Sequence, residues 1–214
     1  MPQKKRIEQI LEQFQEIDPD PKTELNFNSP FELLVAVMLS AQATDVSVNK
    51  VTPALFGAAP DPDSMIKLGL EKITNHIKTI GLFNSKAKNV LTTSQILTEK
   101  YNGFVPATRE ELEALPGVGK KTAGVVMNVL YQAKTLPVDT HVFRVSNRLG
   151  IVKTKTPDST EKALLKIIPE KFLTNAHHWL ILHGRYTCKA RRPLCEKCPL
   201  TNLCDHYKKV ISKQ

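Results

Sequence analysis

Apolar residues recur along most of the chain at the three- and four-residue spacing of a buried helix face. This pattern predicts an almost entirely helical protein, and no stretch alternates as a strand would. The most apolar segment follows Ser29, which precedes a proline and has Glu32 three residues later. That arrangement is a helix start, so we predict a buried helix from about Pro30 to Ser40.

Further helix starts are marked by short polar residues. Asp45 is predicted to cap the next helix, and Thr108 with Glu111 three residues later forms another capping pattern. Prolines and glycines fall mostly between the helical segments. The remaining predicted helices share the same apolar spacing and cover residues 1–14, 64–80, 85–101, 122–133, 140–150, 159–169 and 175–188.

The composition and net charge limit which kinds of protein this chain can be. The 214 residues are 41% hydrophobic, enough for a packed core, and the formal net charge of +9 favours a polyanionic partner such as nucleic acid or an anionic membrane surface. No apolar run is long enough to span a bilayer, and the charged N-terminus lacks the apolar core of a signal peptide. We therefore expect a cytoplasmic protein, associated with the nucleoid if the polyanion is DNA.

A glycine turn precedes two adjacent lysines in the segment LPGVGKKTAG. Gly117 and Gly119 permit a tight turn and a close approach of another molecule to the backbone. The free amides of the helix that follows could then bind a phosphate. Taken alone, the two glycines could equally mark an ordinary corner between two helices that binds no ligand. The longer segment, within about residues 109–130, resembles the helix-hairpin-helix motif of DNA-binding proteins.

All four cysteines fall in one short segment with the spacing C-x6-C-x2-C-x5-C. These residues are Cys188, Cys195, Cys198 and Cys204. In a reducing compartment such clustering indicates metal ligation rather than disulfides. Structural zinc sites usually use two separated C-x2-C pairs, and this segment has one. The spacing itself establishes a four-thiolate metal site, with an iron-sulfur cluster favoured and zinc retained as the alternative.

The cysteine segment is strongly basic. From Leu182 onward there are eight Lys or Arg residues against two acids, and Lys189, Arg191 and Arg192 lie between the first two cysteines. A bound cluster could stiffen this loop and present it to DNA phosphates. For the lysines beyond Cys204, a solvated basic tail is an equally simple interpretation.

Asp139 precedes a helix whose apolar positions line one face. Aspartate is a favoured N-cap, so capping alone would explain this residue. An N-cap also fixes the backbone of a catalytic carboxylate, so the two roles are compatible.

These motifs, in this order, resemble the endonuclease III family of helix-hairpin-helix DNA glycosylase/lyases. The resemblance covers nearly the whole chain and rests on the hairpin, Lys121, Asp139 and the cysteine spacing. One position departs from the family, where the usual arginine before the catalytic lysine is Lys120. The substitution keeps the charge and loses the guanidinium fork.

The resemblance implies an all-α fold of two helical domains with a DNA-binding cleft between them. A six-helix barrel with the hairpin would span residues 21–131. Residues 1–20 would join residues 132–214 in a second domain that carries a [4Fe-4S] cluster on the loop 188–204. The cluster is expected to be a structural element rather than the reacting centre, and a redox-sensing role stays open.

The resemblance also implies an activity. The family removes oxidised or ring-saturated pyrimidines from double-stranded DNA and cleaves the strand 3′ to abasic sites. Lys121 would be the nucleophile and Asp139 the essential carboxylate. Gln42 and Leu82 match the residues that fill the gap left by an extruded nucleotide, although Leu82 could equally be a buried core leucine. We expect a monomer.

Lysine attacks only as a free amine. The positive end of the helix and the neighbouring Lys120 both disfavour a second positive charge and so favour the neutral form of Lys121. Two other functions remain open at this point. One is a monofunctional glycosylase relative, a branch that lacks the nucleophilic lysine, and the other is a DNA-binding module without catalytic activity.

Overall fold

Every regular element in residues 3–211, the part of the chain that this computed structural model describes, is a helix. The predicted all-α class is therefore confirmed. Three short 3-10 turns accompany the α-helices, at Glu170–Phe172, Cys195–Lys197 and Thr201–Leu203. The α-helices are α1 Gln3–Ile17, α2 Pro30–Ser40, α3 Asp45–Ala58, α4 Pro62–Ile77, α5 Phe83–Tyr101, α6 Arg109–Glu113, α7 Lys120–Tyr131, α8 Thr140–Leu149, α9 Pro157–Ile167, α10 Leu173–Tyr186 and α11 Asp205–Ile211.

Helix α2 begins and ends where its sequence pattern predicts. The Ser29 hydroxyl accepts a hydrogen bond from the backbone N–H of Glu32 at 3.2 Å, which satisfies one of the free amides at the helix start. All of the apolar residues from Leu33 to Leu39 are buried, so the helix runs through the middle of a core rather than along its edge.

The predicted cap of α3 is wrong by one residue. Thr44 is the N-cap, and its hydroxyl accepts from the backbone N–H of Ser47 at 3.1 Å. Asp45 lies in the first turn, where its negative charge interacts favourably with the positive end of the helix dipole. Threonine and aspartate both cap helices, and adjacent candidates cannot be separated by residue type alone.

The chain divides into two compact units. The first, called here the hairpin unit, is Glu24–Tyr131 and contains α2 to α7. Its core is built around α2 and includes apolar side chains from each of the other helices.

The second unit, called here the cysteine unit, joins the residues up to Thr23 with those from Gln132 onward. Helix α1 buries Ile7, Ile10 and Phe14 in the same core as α8 and α10. The Phe14 ring stacks on Trp179 with a centroid distance of 6.2 Å, and the Trp179 indole N–H donates to the carbonyl of Asp18 at 2.7 Å. The N-terminal helix thus folds with the C-terminal part of the chain.

The sequence pattern did not predict the last helix, α11. Its seven residues are too few for a clear apolar period, and it follows directly on the last cysteine. Among residues 3–211, none of the helices combines the length and apolar character needed to cross a membrane.

Candidate functional site

The turn between α6 and α7 is held by two buried apolar residues. Leu115 and Val118 lie in the core of the hairpin unit, and the Val118 N–H donates to the Leu115 carbonyl at 3.1 Å. Between them Gly117 has a φ of +79°, in the left-handed region that favours glycine. A Cβ atom at Gly117 would also lie 2.6 Å from the side-chain nitrogen of Asn89, so both the backbone angle and the space favour glycine at this position.

Gly119 has a different role. It does not have a positive φ, and a Cβ atom there would meet no atom within 4 Å. The fold would tolerate a side chain at this position. The missing Cβ instead leaves an open approach to the first amides of α7, as a bound anion would require.

These two glycines give a matched pair of substitutions. We expect Gly119→Ala to unfold at nearly the wild-type temperature. If this turn binds a phosphate, the variant should bind an abasic-site duplex roughly tenfold more weakly, because its methyl group would meet the DNA backbone. Gly117→Ala should instead lose about 1–2 kcal/mol of stability from its left-handed backbone. Fluorescence anisotropy and thermal unfolding measure the two effects. Wild-type DNA affinity in Gly119→Ala would contradict a phosphate site at this turn.

Lys120 and Lys121 open α7, and both side chains are exposed. Ala123 and Val126 of the same helix are fully buried, which fixes the rotation of α7 about its axis. Successive helix residues point about 100° apart, so the two lysines face different directions. One ligand therefore cannot be held by both in the same way, and the pair is better explained by two separate tasks.

Asp139 caps α8 as one of the two sequence interpretations predicts. A single carboxylate oxygen, Oδ1, accepts hydrogen bonds from the backbone N–H groups of His141 and Val142, each at 2.8 Å. The cap fixes the orientation of the carboxylate and leaves its other oxygen available. Asp139 lies in the cysteine unit and Lys121 in the hairpin unit.

The segment before Asp139 is anchored by a residue that the sequence did not single out. His177 of α10 is buried, and its Nδ1 lies 2.8 Å from the carbonyl oxygen of Pro137, to which it donates a hydrogen bond. Leu136 beside it is fully buried in the core. The carboxylate is therefore held from both sides, by the helix that follows it and by α10.

Gln42 and Leu82 share an unusual backbone conformation. Both are non-glycine residues in the left-handed region, with φ values of 55° and 61°. Leu82 is 58% exposed, so the interpretation of this residue as a buried core leucine is wrong. The two turns are adjacent, since a Cβ atom on Gly81 would lie 4.0 Å from the carbonyl oxygen of Gln42. Strained backbone at exposed residues is typical of functional sites.

The four cysteines line one small apolar pocket. All four are free thiols, and Cys204 is buried. Among residues 3–211 no three His, Cys, Asp or Glu side chains form a group suited to a single metal ion. Four soft sulfur donors spread around a cavity suit a polynuclear iron-sulfur cluster.

Two arginines of α8 hold the cysteine loop in place. The Arg148 guanidinium donates to the carbonyls of Lys189 and Ala190 at 2.7 and 2.8 Å, and one of its nitrogens lies 3.6 Å from the Cys188 sulfur. Arg144, one turn earlier, donates to the carbonyl of Cys188 at 3.1 Å. The two side chains thus fix the start of the loop that carries the cysteines.

The basic residues of the cysteine loop project into solvent. Lys189, Arg191 and Arg192 are all exposed. Arg148 fixes the backbone of Lys189 by a hydrogen bond to its carbonyl, so the positive side chains project from a well-held loop. This arrangement is suited to contacts with phosphates.

Comparison with known proteins agrees with the geometry of both units. Residues 35–170 match the HhH-GPD superfamily of base excision DNA repair proteins, and residues 188–204 match the iron-sulfur binding domain of endonuclease III. Endonuclease III of Escherichia coli strain K12 is 55% identical over 206 residues, which cover 96% of this chain and 97% of that protein. The chain belongs to the endonuclease III family. The family's Haemophilus influenzae enzyme is 54% identical over the same shares of each chain.

Solved structures give the same family assignment. The endonuclease III in a trapped endonuclease III–DNA covalent intermediate superposes with a TM-score of 0.90 and 45% identity, covering 99% of this chain and 100% of that one. A thermostable thymine-DNA glycosylase superposes with a TM-score of 0.82 and 25% identity, covering 97% of each chain.

The family also decides between the two metals. The match of residues 188–204 to the iron-sulfur binding domain of endonuclease III shows a [4Fe-4S] cofactor rather than zinc, and all four cysteines lie within the matched residues. The cavity, the free thiols and the adjacent arginines of this endonuclease III family member all fit such a cluster.

Loss of one ligand should remove the cluster. We expect Cys198→Ser to be colourless, to contain little iron and to unfold several degrees below the wild type, because metal binding and folding of such a loop are coupled. Arg191→Ser, exposed in the same loop, is the control and should keep its iron. Iron analysis, visible absorbance and thermal unfolding provide the measurements. Wild-type iron content in Cys198→Ser would contradict the ligand assignment.

Proposed function

We propose that the protein is a bifunctional base-excision repair enzyme that removes oxidised or ring-saturated pyrimidines from double-stranded DNA and cleaves the strand 3′ to abasic sites. One observation carries this proposal. An exposed lysine, Lys121, stands in the first turn of the helix behind an open glycine turn, in a member of the endonuclease III family. The same position supplies both an amine for the chemistry and backbone amides for a phosphate.

The substrate base must first leave the double helix, because its glycosidic bond is inaccessible while the base is stacked. Gln42 and Leu82 lie exposed on adjacent turns of the hairpin unit. An apolar side chain inserted at a base step stabilises a kinked duplex. Leu82 would occupy the gap, and Gln42 would offer its amide to the base left without a partner.

Lys121 then acts as the nucleophile. Its free amine attacks C1′ of the sugar, the bond from C1′ to the base breaks, and the base leaves with the electron pair. Loss of a proton from the nitrogen and opening of the sugar ring give a Schiff base between Lys121 and the sugar. Removal of a proton from C2′ expels the 3′ phosphate by β-elimination, and water releases Lys121.

Asp139 supplies the carboxylate for the first of these steps. Its Oδ1 is occupied by two backbone N–H groups, so Oδ2 is the oxygen that can accept a proton from the lysine or stabilise positive charge on the sugar. The N-cap orients this oxygen before substrate binds.

The cysteine loop contributes binding rather than chemistry. When bound, the [4Fe-4S] cluster links four points of the loop and so stabilises its conformation. Lys189, Arg191 and Arg192 would then contact DNA phosphates, while Gly117, Gly119 and Lys120 contact the backbone nearer the lesion. We further propose that the protein works as a monomer on chromosomal DNA in the cytoplasm.

A panel of duplexes tests this function. Oligonucleotides would carry thymine glycol, 8-oxoguanine opposite cytosine, uracil or an abasic site. We expect cleavage at thymine glycol and at the abasic site, no cleavage at uracil, and a covalent adduct when borohydride is added. Base release without strand cleavage or adduct would instead indicate a monofunctional glycosylase. Binding with neither activity would indicate a DNA-binding module.

A further inference from the structure

Lys86 is a buried lysine that the proposed chemistry does not use. It lies in the first turn of α5 and is only 6% exposed. Its ammonium group donates to the backbone carbonyl of Leu39, near the end of α2, at 2.9 Å. A buried ammonium group loses its hydration, which costs free energy unless the charge is paired or hydrogen-bonded.

The carbonyl that Lys86 contacts lies where α2 ends. The carbonyls of the last turn of a helix lack partners in the helix itself. Here the Ala41 N–H donates to the Met38 carbonyl and the Ala43 N–H to the Ser40 carbonyl, both with the shorter spacing of a tight turn. The Leu39 carbonyl receives the Lys86 ammonium, whose positive charge is also favourable at a helix C-terminus.

The contact is to a neutral oxygen rather than to a carboxylate. Burial accordingly lowers the pKa of Lys86 below its ordinary value. A methionine would fill the same space without the cost of a buried charge. The charge and its hydrogen bond, rather than packing alone, therefore require an explanation.

The hydrogen bond between Lys86 and Leu39 joins two segments that each lie next to a turn with left-handed backbone. Gln42 follows Leu39 by three residues, and Leu82 is the residue immediately before α5. The backbone N–H of Lys86 donates to the Leu82 carbonyl at 3.0 Å. One lysine thus bonds the Leu82 turn through its backbone and the end of the helix before Gln42 through its side chain.

We propose that Lys86 is a positioning residue that joins the Gln42 and Leu82 turns, so that both side chains enter the gap left by an extruded nucleotide as one rigid pair. The inference rests on the proposed function and deepens it. Left-handed backbone at a glutamine and a leucine persists only when the surroundings hold it, and the Lys86 bridge provides that support.

Two variants separate this role from ordinary packing. Lys86→Met keeps the length and apolar stem of the side chain, whereas Lys86→Arg keeps a charged donor. We expect Lys86→Met to lower kcat/KM for thymine glycol in a fully paired duplex by roughly tenfold to a hundredfold, as a small misplacement of positioning groups can. Lys86→Arg should recover most of this loss.

On a second substrate, catalysis should not require the Gln42 and Leu82 side chains to fill a gap in the duplex. When an abasic site faces a one-nucleotide gap, no base is left without a partner and little stacking must be replaced. On this duplex the rate of borohydride trapping by Lys86→Met should lie within about twofold of the wild type. An equal loss on both duplexes would mean that Lys86 only supports the fold, and the proposal would be overturned.

A double-mutant cycle tests the route of the effect. In a protein that already carries Gln42→Ala and Leu82→Ala, Lys86→Met should cause little further loss on the paired duplex, because the side chains that it positions are gone. A full and additive loss in that background would contradict the proposal.

Circular dichroism and thermal unfolding establish that each variant is folded. Should Lys86→Met fail to fold, Lys86→Gln, which keeps an N–H donor without the charge, takes its place in the same comparisons. The wild type separates the two levels of inference. Absence of trapping by the wild type overturns the proposed function, whereas normal trapping by the wild type with an unchanged Lys86→Met overturns only the role of Lys86.

Discussion

Lys121→Ala should form no covalent adduct with abasic-site DNA under borohydride and should lose strand cleavage by on the order of 10⁴-fold or more. The reason is chemical. In the proposed mechanism both base release and β-elimination pass through a bond from the Lys121 amine to C1′, and without the amine that bond cannot form. DNA affinity should remain near the wild-type value, since the glycine turn and the basic loop are untouched. Trapping gels and anisotropy with the same duplex measure the two quantities.

The neighbouring lysine provides the matched control. Lys120 is also exposed and lies in the same turn of α7, but it points in a different direction. Lys120→Ala should still form the adduct and should bind DNA several-fold more weakly and with a smaller salt dependence. An undiminished adduct in Lys121→Ala would exclude Lys121 as the nucleophile, and loss of the adduct in Lys120→Ala alone would exchange the two assignments.

Asp139→Asn should retain wild-type stability and lose glycosylase activity by roughly 10²- to 10⁴-fold, the usual contribution of a positioned acid or base. Asparagine is as good an N-cap as aspartate, so the bonds to the His141 and Val142 amides survive the change. The substitution thereby removes the ionised oxygen while leaving the cap. Thermal unfolding and single-turnover base release are the two measurements.

Asp139→Ala completes the comparison. It should lose the same activity and, in addition, about 1 kcal/mol of stability, because the cap is lost as well. If Asp139→Asn were fully active and Asp139→Ala were merely less stable, the residue would be a cap and nothing more.

Most of the fold could be predicted from local signals. Helix α2 has its predicted limits because a capping serine, a first-turn proline and a continuous apolar run all agree. The cap of α3 was misplaced because Thr44 and Asp45 are both good caps, and only the backbone angles distinguish them. Capping preferences identify the region of a helix start more reliably than the residue.

The candidate site was predictable where its residues are close in sequence. The hairpin glycines and the four cysteines each lie within one short segment, so their spacing indicates a phosphate-binding turn and a thiolate metal site, whereas the role of Lys121 is implied by the family resemblance. The contacts that support these residues are different in kind. His177 bonds Pro137, 40 residues away in the sequence, and Arg148 bonds Lys189, 41 residues away. No local sequence pattern can predict contacts between residues so far apart.

The backbone of Gln42 and Leu82 was likewise beyond sequence reasoning. Left-handed angles are expected at glycine and asparagine, and neither residue is of that type. The contact proposed to hold both turns, from the Lys86 ammonium to the Leu39 carbonyl, joins residues 47 positions apart and leaves no local trace in the sequence.

The packing of α1 into the cysteine unit has a consequence for synthesis on the ribosome. Arg6 donates to the carbonyls of Leu149, Gly150 and Leu203, so helix α1 finds its partners among residues that are synthesised after the hairpin unit. The intervening hairpin unit has its own core and can fold while the chain is still growing. The apolar face of α1 therefore stays uncovered until α8 and α10, which share its core, have also been synthesised.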